Sequence, residues 1–285
     1  MNSQIVYFND NFLPKNMVKI SPDDRGFLFA DGVYEVIRSY YGKLFMFDEH
    51  INRLKNNLNT LRIEYNEFDK IKEIILELIR RNHFENSDIT IYLQITRGVY
   101  PKRFLHIPEE KLKPTVYMYV NQVNINMEKY RQGLKAVSVE DKRWGLCNVK
   151  TTALVYNILA QQEAIDKGGD IGIFVKEGFL TEATNAGLFA VKNSMIFTYP
   201  ESNHILPSIT RKVVLTLCNH LNINLIEQPV CADKIIEFDE MFIVGTTPEI
   251  APVIIYDNMP IGNSMPGAIT QKLQESFEQL KSGKL

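Results

Sequence analysis

The chain has 285 residues, of which 45% are hydrophobic and 23% are charged. These fractions are typical of a folded globular protein, and the length is enough for a large core and two domains. The formal net charge of −2 gives no electrostatic reason to expect nucleic acid or an anionic membrane as a partner.

Targeting signals and metal motifs are not visible in the sequence. The N-terminus lacks the basic region and apolar core of a signal peptide, and no apolar run reaches the roughly 20 residues that a membrane helix needs. The three cysteines, Cys147, Cys218 and Cys231, are widely spaced. Such a sparse, odd set predicts reduced thiols and neither a disulfide framework nor a metal site. We therefore expect a cytoplasmic protein.

The first part of the chain combines short strand patterns with amphipathic helices. Strands are predicted at 5–8, 33–38, 44–47, 89–95 and 115–120. Helices are predicted at 49–61, with Asp48 as its cap, and at 68–82. Residues 121–132 are polar, and we interpret them as a linker.

The remaining part of the chain continues the mixed pattern. Strands are predicted at 134–139, 171–175, 187–191, 194–198, 224–228 and 240–244. Helices are predicted at 152–167, 210–221 and 268–281. The sequence therefore predicts an α+β fold, which the linker divides into an N-terminal part at 1–120 and a longer part at 133–285.

Lys150 is the first candidate for chemistry, because it lies just before the helix predicted from residue 152. Apolar neighbours predict a buried setting, namely Trp144, Leu146, Val149, Ala153 and Leu154. Burial disfavours the charge on a lysine, lowers its pKa and makes the amine a usable nucleophile. The ordinary alternative is an exposed lysine at a helix start.

Glu182 is the second candidate, since it lies between two strand patterns in a stretch with few other charges. A buried carboxylate there needs a cationic partner, and a protonated pyridine nitrogen would serve. The alternative is a carboxylate in a surface turn.

Three further segments could bind phosphate. The helix that begins near Ser208 and Thr210 offers free N–H groups, although capping alone is the commoner use of such residues. Gly245–Thr246–Thr247 ends a strand and offers similar donors. Arg53 follows His50 on the same side of the first helix and could bind phosphate in a bidentate manner, or could simply be solvated. An amine, an acid and phosphate donors together suggest pyridoxal phosphate.

These segments, from 24–35 (DRGFLFADGVYE) to 245–253 (GTTPEIAPV), resemble the fold-type IV pyridoxal-phosphate enzymes, the class IV aminotransferases. Within that class the chain looks most like bacterial D-amino acid (D-alanine) aminotransferases. The supporting segments are 31–36, 49–54, 96–98, 139–144 and 160–164. The resemblance implies two domains, a small N-terminal α/β domain at 1–120 and a larger domain at 133–285 with a β-barrel-like core. It also implies a homodimer with sites near the interface, and amino acid and 2-oxo acid substrates.

The resemblance also implies a role for each matching residue. Lys150 would bond to the cofactor and move the substrate α-proton, and Glu182 would pair with the pyridine nitrogen. The other residues expected to bind pyridoxal 5'-phosphate are Arg53, Asn185, Leu206, Ile209, Thr210 and Thr246. The residues expected on the substrate side are Tyr34, Arg103, His106 and Thr247.

The loop after Thr96–Arg97–Gly98 departs from the pattern of the family it resembles. D-amino acid aminotransferases of the best-known type carry Arg-x-His there, and these residues bind the substrate carboxylate. Here the spacing is Arg103-x-x-His106, in a loop one residue longer. Lys102, Arg103 or His106 could supply the cation, so the sequence leaves the substrate-binding residue open.

Several alternatives share the cofactor: a branched-chain L-amino acid aminotransferase, an aminodeoxychorismate lyase and an (R)-selective amine transaminase. A binding or scaffold protein that kept the fold without the chemistry is a fourth possibility, because a fold alone does not determine function. The presence of Lys150, Glu182 and Arg53 argues against it. We therefore predict a D-amino acid transaminase.

Overall fold

The structure, a computed structural model, describes residues 4–124 and 126–285. It divides into two compact units. Unit 1 consists of residues 4–124 together with Val149–Ala153, and unit 2 consists of residues 126–148 and Leu154–Leu285. Residues 1–3 of the predicted first domain and residue 125 of the predicted linker lie outside the described residues.

Unit 1 contains a six-stranded antiparallel sheet with three helices. The strands are β1 Ile5–Phe8, β2 Asn11–Pro14, β3 Gly32–Tyr40, β4 Lys43–Leu44, β5 Ile89–Thr96 and β6 Thr115–Gln122. They pair in the order β2-β1-β6-β5-β3-β4. The helices are α1 Arg25–Phe29, α2 Phe47–Thr60 and α3 Phe68–Arg81, and Lys15–Met17 forms a 3-10 turn.

The core of unit 1 lies where α2 and α3 pack on one face of this sheet. Helix α3 buries apolar residues at helical spacing: Ile71, Ile74, Ile75, Leu78 and Ile79. Such spacing gives a continuous apolar stripe, which explains why this segment forms a helix that packs on a sheet. The stripe joins β-strand side chains such as Ile37 and Ile91 in one buried cluster.

The start of α2 differs from the prediction. The helix begins at Phe47, its N-cap residue Met46 is in the left-handed conformation with φ of 52°, and no side chain caps it. The predicted Asp48 cap is therefore wrong, because Asp48 already lies inside the first turn. The hairpin partner strand is also shorter than predicted, because β4 ends at Leu44 and the chain turns into the helix at once.

Unit 2 contains a ten-stranded mixed sheet with four helices. The helices are α4 Met127–Gln132, α5 Val155–Asp166, α6 Ile209–His220 and α7 Ala268–Lys281, with a 3-10 segment at Ala232–Glu237. The strands are β7 Leu134–Glu140, β8 Ile171–Lys176, β9 Phe179–Ala183, β10 Gly187–Lys192, β11 Met195–Thr198, β12 Leu225–Glu227, β13 Val230–Cys231, β14 Glu240–Gly245, β15 Glu249–Tyr256 and β16 Met259–Pro260.

The strand order of this sheet explains its barrel-like core. The order is β12-β11-β10-β14-β15-β7-β8-β9-β13, and β16 pairs with β15. Although β9 and β10 are far apart in this order, a three-residue connection joins them, they contact each other, and the Ala183 N–H donates to the Ala186 carbonyl at 2.8 Å. The strands from β10 to β9 therefore curl into a barrel-like core, and the predicted fold class is confirmed.

Two further features of the chain differ from the sequence-based expectations. Residues 121–132, predicted as a linker, instead contain the end of β6 and the helix α4. The long strand β15 and the strand β9 were not predicted, because they are buried on both faces and lack the alternating pattern of a half-exposed strand.

Among the described residues, no helix has both the length and the apolar character needed to span a bilayer.

Two leucines of α3 give a matched test of this packing. Leu78 is fully buried, whereas Leu76 is 48% exposed. Leu78→Ala should lower the free energy of unfolding by about 2–5 kcal/mol, because it removes buried methyl groups and leaves a cavity. Leu76→Ala should change it by less than about 0.5 kcal/mol. Denaturant titrations of the two variants make the comparison, and equal effects would contradict the described packing of α3.

Candidate active site

Lys150 lies in an extended segment of unit 1 that pairs with β3. The Tyr34 N–H donates to the Lys150 carbonyl at 3.1 Å, and the Thr152 N–H donates to the Gly32 carbonyl at 3.1 Å. Thr151 and Val33 form an isolated β-bridge between them. The predicted helix start at residue 152 is therefore wrong, because these backbone bonds keep the chain extended and α5 begins only at Val155.

The Lys150 ammonium lies against the Tyr34 ring. Its Nζ is 4.2 Å from the ring centre, a distance at which the aromatic face attracts a cation. Within the described part of the chain, Nζ has no hydrogen bond or ion pair. Tyr34 in turn stacks on Tyr92 at 5.7 Å, and Tyr92 stacks on Tyr119 at 5.0 Å. The structure thus brings Tyr34 to Lys150, and the place of Tyr34 on the substrate side stays a prediction.

The predicted apolar setting of Lys150 is only partly correct. Val149 is buried at 5% exposure, but Trp144 and Leu146 are 43% and 41% exposed. Ala153 is also exposed, and Leu154 is half-buried. These residues flank Lys150 in segments without regular helical structure, and so do not form one face of a helix with it. Lys150 itself is half-buried.

A buried carboxylate organises the polar side chains of α2. Glu35 on β3 is fully buried and accepts hydrogen bonds from Arg53 Nε at 2.8 Å and Arg53 Nη2 at 2.7 Å. His50 Nδ1 lies 2.7 Å from the second Glu35 oxygen. Arg53 is 8% exposed, and His50 is 2% exposed. His50 and Arg53, which the sequence places on one side of α2, therefore both contact the Glu35 carboxylate of the sheet.

The charge states of this triad follow from burial and pairing. Burial raises the pKa of Glu35, but the Arg53 charge outweighs it and holds the pKa at about 2, below the ordinary 4.5. Burial lowers the pKa of His50. His50 is therefore neutral at pH 7, and because ionised Glu35 only accepts hydrogen bonds, His50 Nδ1 carries the proton.

Sequence reasoning missed Glu35, although a signal for it exists. Glu35 alternates with Val33 and Ile37 along β3, and all three are buried. A charged residue at an inward position of a strand requires a buried counter-ion. That rule, applied to the strand pattern alone, predicts a cationic partner such as Arg53.

Glu182 lies within β9 in unit 2, and its side chain is 7% exposed. It is thus a strand residue, and the alternative of a surface turn is wrong. Arg143 Nη1 donates to its Oε1 at 2.5 Å, and the Leu206 N–H donates to its Oε2 at 3.1 Å. Arg143 also pairs with Asp141, and its guanidinium lies 4.0 Å above the centre of the Phe174 ring. Arg143 was not predicted as a site residue.

The electrostatics of Glu182 differ from those of Glu35. Burial raises the pKa of Glu182, while Arg143 opposes the shift without cancelling it. The negative charge of Asp141 adds to the rise. A further cation at Glu182 would therefore be favoured, because it would stabilise the charged carboxylate.

The N-terminus of the twelve-residue helix α6 has unused donors. Ser208 is the N-cap residue, and its Oγ accepts a hydrogen bond from the Arg211 N–H. In the described chain, the N–H groups of Ile209 and Thr210 have no hydrogen-bond partner. They point along the helix axis with the positive end of its dipole, which is the arrangement that binds phosphate. Leu206 precedes this helix and is half-buried.

Two more predicted residues of unit 2 lie in turns. Thr246 and Thr247 occupy the connection from β14 to β15, and both are half-buried. Asn185 lies in the connection from β9 to β10 and is exposed. Its neighbour Thr184 is buried instead and donates to Gln161 Oε1 at 2.5 Å.

The predicted substrate loop of unit 1 is exposed, but its base is fixed. Arg103 and His106 are both exposed. Buried Arg25 donates from Nη1 to the Phe104 carbonyl at 2.8 Å. The Arg103 guanidinium lies 5.3 Å from the centre of the Phe29 ring. Lys102 is exposed too, so none of the three candidate cations of the loop is buried.

The predicted site residues therefore form one set in each unit. Unit 1 brings Lys150 together with Tyr34, and Arg53 together with the unpredicted Glu35. Unit 2 places Glu182 beside the backbone of Leu206, which leads into the donors of Ile209 and Thr210. A lysine amine, a buried acid and a phosphate-type helix start are the parts that a pyridoxal-phosphate enzyme requires.

The family model of the class IV amino-transferases matches residues 32–256, which is well over half of the chain. The chain is a class IV aminotransferase. This aminotransferase is 34% identical over 274 residues to the D-alanine aminotransferase of Bacillus licheniformis, with 96% of the chain and 95% of that protein covered. It is 33% identical to the D-alanine aminotransferase of Staphylococcus aureus strain N315 over 96% of each chain.

Solved structures share the fold of this class IV aminotransferase. The branched-chain amino acid aminotransferase from Escherichia coli superposes with a TM-score of 0.90 at 24% identity, covering 99% of this chain and 95% of that one. A branched-chain aminotransferase from Thermoproteus uzoniensis, solved with norvaline, gives a TM-score of 0.88 at 24% identity, covering 99% of this chain and 96% of that one. At this level of identity the similarity establishes the fold alone.

The Glu35 triad predicts a pH-dependent stability. Glu35→Gln should lower the free energy of unfolding at pH 7 by about 3–5 kcal/mol, because Arg53 then stays buried without its counter-ion. Since the folded pKa of Glu35 is about 2 and its ordinary value is 4.5, protons bind the unfolded state first. The difference in free energy of unfolding between the wild type and Glu35→Gln should therefore be complete above pH 4.5 and shrink as the pH falls toward 2.

Denaturant titrations at several pH values between 7 and 3 measure this difference. Glu77→Gln is the control, because Glu77 pairs with Arg80 and Arg81 on the exposed face of α3, where solvent screens the interaction. A Glu35→Gln effect that is the same at pH 7 and pH 3, or no larger than that of Glu77→Gln, would contradict the described triad.

Proposed function

We propose that this class IV aminotransferase moves the amino group of a D-amino acid to a 2-oxo acid such as pyruvate or 2-oxoglutarate, with pyridoxal 5'-phosphate as its cofactor. The observation that carries the proposal is the 34% identity to a D-alanine aminotransferase over 96% of the chain. The amine of Lys150 against Tyr34 and the buried acid Glu182 support it, because this chemistry requires both groups.

Unit 2 fits the proposed cofactor in two respects. The partnerless N–H groups of Ile209 and Thr210 would bind its phosphate, as oriented donors at a helix start do. Glu182 has a pKa raised by burial, so a cationic pyridine nitrogen beside it would be stabilised by the carboxylate. Leu206 would pack on the ring, and Thr246 and Asn185 would add donors, as the family resemblance implies.

Arg53 is proposed as a further phosphate ligand. Glu35 accepts two of its hydrogen bonds and so fixes the plane of the guanidinium. A planar guanidinium whose orientation is fixed loses little entropy when it binds an anion. Glu35 and His50 would thus position Arg53 without touching the cofactor themselves.

Lys150 is proposed as the residue that bonds to the cofactor and moves protons. When bound, pyridoxal phosphate supplies the electron sink that makes the substrate Cα–H acidic. The Lys150 Nζ would accept this α-proton as a general base. The ring of Tyr34, at 4.2 Å, would keep the amine on one side of the substrate and so favour one stereochemistry.

The substrate carboxylate is proposed to meet Arg103 and His106, with Thr247 as a further donor. The support is the position of the loop in the sequence, directly after Gly98. The Phe104 and His106 rings stack at 5.1 Å, and Arg25 holds the intervening backbone through the Phe104 carbonyl. The loop therefore presents its cations from a fixed base.

Branched-chain L-amino acid aminotransferase is the second candidate, and the fold similarity with a TM-score of 0.90 favours it. It ranks below the D-amino acid proposal because that similarity rests on 24% identity, whereas the identity to the D-alanine aminotransferase of Bacillus licheniformis is 34%.

We also propose that the protein works in the cytoplasm, which the three free cysteines support.

A homodimer is proposed as the working assembly. Helix α5 presents four apolar residues that are between 50% and 70% exposed. They are Val155, Ile158, Leu159 and Ile165. The first three have i, i+3, i+4 spacing and form one stripe, and an exposed apolar stripe of this kind favours association with another chain.

A panel of donors tests the proposed activity. D-alanine, D-glutamate and D-2-aminobutyrate should react with pyruvate or 2-oxoglutarate, whereas L-leucine, aminodeoxychorismate and a simple chiral amine should not. Lys150→Ala should lower turnover by at least about 10³-fold, because the base and the covalent attachment are lost together. Lys142→Ala is the control, since Lys142 is an exposed lysine paired with Glu140.

The outcomes separate the candidates. Absorbance assays of 2-oxo acid formation report turnover, and mass spectrometry after borohydride reduction should locate the cofactor on Lys150. No turnover with any D-amino donor would refute the D-amino acid proposal, and turnover with L-leucine would favour the second candidate. A Lys150→Ala variant with near wild-type turnover would refute the role of Lys150.

The α5 stripe predicts a variant that dissociates. Ile158→Asp should weaken the dimer at least tenfold, because a charge would be buried in an apolar contact. Leu76→Asp is the matched control, since Leu76 is also an exposed apolar residue of a helix. Sedimentation over a concentration series measures the association constant. A wild-type monomer, or a dimer that Ile158→Asp does not weaken, would contradict the assignment of this face.

A further inference from the structure

Arg38 on β3 is a buried cation whose role the proposed function does not explain. It is 3% exposed, and its Nε and Nη1 atoms are buried without a hydrogen-bond partner. None of the described acids forms an ion pair with it. Its guanidinium lies over the ring of Tyr40, whose centre is 5.0 Å from the guanidinium carbon.

The sheet face that carries Arg38 contains no counter-ion among the described residues. Along β3 this face carries Tyr34, Val36, Arg38 and Tyr40, because side chains alternate between the two faces of a strand. In the neighbouring strands the register places Thr90, Tyr92 and Gln94 of β5 beside them, followed by Tyr117, Tyr119 and Asn121 of β6. These neighbours are all neutral, whereas the acid Glu35 lies on the opposite face with the core.

A buried guanidinium without a counter-ion is unfavourable, because its Nε and Nη1 atoms have lost their hydration and gained neither a charge partner nor hydrogen bonds. The Tyr40 ring compensates only in part, since a cation–π contact stabilises by about 1–2 kcal/mol. Arg53 and Arg143, the buried arginines of the two site clusters, are both paired with carboxylates. An anion is therefore the missing partner of Arg38, and a planar guanidinium matches a carboxylate best.

The position of Arg38 relative to Lys150 indicates which carboxylate this is. Tyr34, which contacts the Lys150 amine, precedes Arg38 by four residues on the same face, a Cα–Cα distance of about 13 Å. The α-carboxylate of a substrate is bonded directly to the reacting carbon and stays near the amine. A carboxylate at the end of the substrate side chain extends farther from the amine, and so comes nearer to the part of this face that carries Arg38.

We propose that Arg38 binds the side-chain carboxylate of a dicarboxylic substrate, of the class of 2-oxoglutarate and D-glutamate. The inference rests on the proposed amino transfer at Lys150 and deepens it. The row of neutral tyrosine side chains beside Arg38 would keep water from the pair. Arg38 would thus be a substrate-binding residue that distinguishes dicarboxylates from monocarboxylates such as pyruvate.

A comparison of two acceptors with one monocarboxylic D-amino donor tests this proposal. Arg38→Met should raise the KM for 2-oxoglutarate by roughly 30-fold or more, because a buried charge pair is lost. It should leave the KM for pyruvate within about threefold. Arg38→Lys should give an intermediate KM, since one ammonium replaces a two-pronged donor. Arg80→Met is the control, because it removes a positive charge from an exposed ion pair of the same unit.

Glutarate gives a second readout that needs no turnover, since it has both carboxylates and no reacting carbonyl. Calorimetry should show that glutarate binds the wild-type protein and Arg80→Met but not Arg38→Met. If Arg38→Met does not fold, Arg38→Lys carries the same comparison.

Three results would overturn the proposal: equal KM changes for both acceptors, unchanged KM values for both, or glutarate binding that survives Arg38→Met. A failure of the proposed function is distinguishable, because it would abolish wild-type turnover while leaving the glutarate result unaffected.

Discussion

The pairing of Val149–Ala153 with β3 is the interaction on which the arrangement around Lys150 depends. Two backbone hydrogen bonds and one bridge hold this segment against the edge residues Gly32 to Tyr34. These backbone hydrogen bonds fix the Cα position of Lys150 and the direction in which its flexible side chain leaves the backbone. The same residues of β3 then supply the aromatic ring that contacts the amine, so the position of Lys150 and its surroundings come from one strand.

Buried charge is handled in two different ways in the two units. Glu35 has a matched cation in Arg53, and its pKa falls, so that carboxylate is a permanent anion that orients other groups. Glu182 has Arg143 beside it, yet burial still raises its pKa. A carboxylate whose charge is fully paired within the protein suits a structural role. A carboxylate that a second cation would still stabilise suits the binding of a cationic ligand.

The sequence predicts best those elements whose signal is local. The predicted bounds of α3 agree with the structure within one residue, because its apolar stripe and its own turns determine it. The extended conformation at Lys150 was missed, because it results from backbone hydrogen bonds to β3, which is more than 100 residues away in the sequence. No local sequence pattern indicates that pairing. Strand β9, which carries Glu182, was missed for a related reason: it is recognisable only through its partners β8 and β13. The counter-ion Arg143 followed from neither pattern nor spacing.

The shared fold leaves the choice of substrate to a few side chains. A branched-chain aminotransferase shares this fold with a TM-score of 0.90, and one fold can serve proteins with different substrates. Substrate specificity must therefore come from side chains that differ on this shared fold. A buried charge discriminates between substrates more strongly than the shape of a pocket does. A buried site that must pair its charge rejects a neutral side chain strongly, whereas an apolar pocket discriminates by only about 1–3 kcal/mol per methylene. The unpaired guanidinium on β3 is a feature of the first kind, and the exposed cations of the 100–106 loop, open to solvent, can discriminate only weakly.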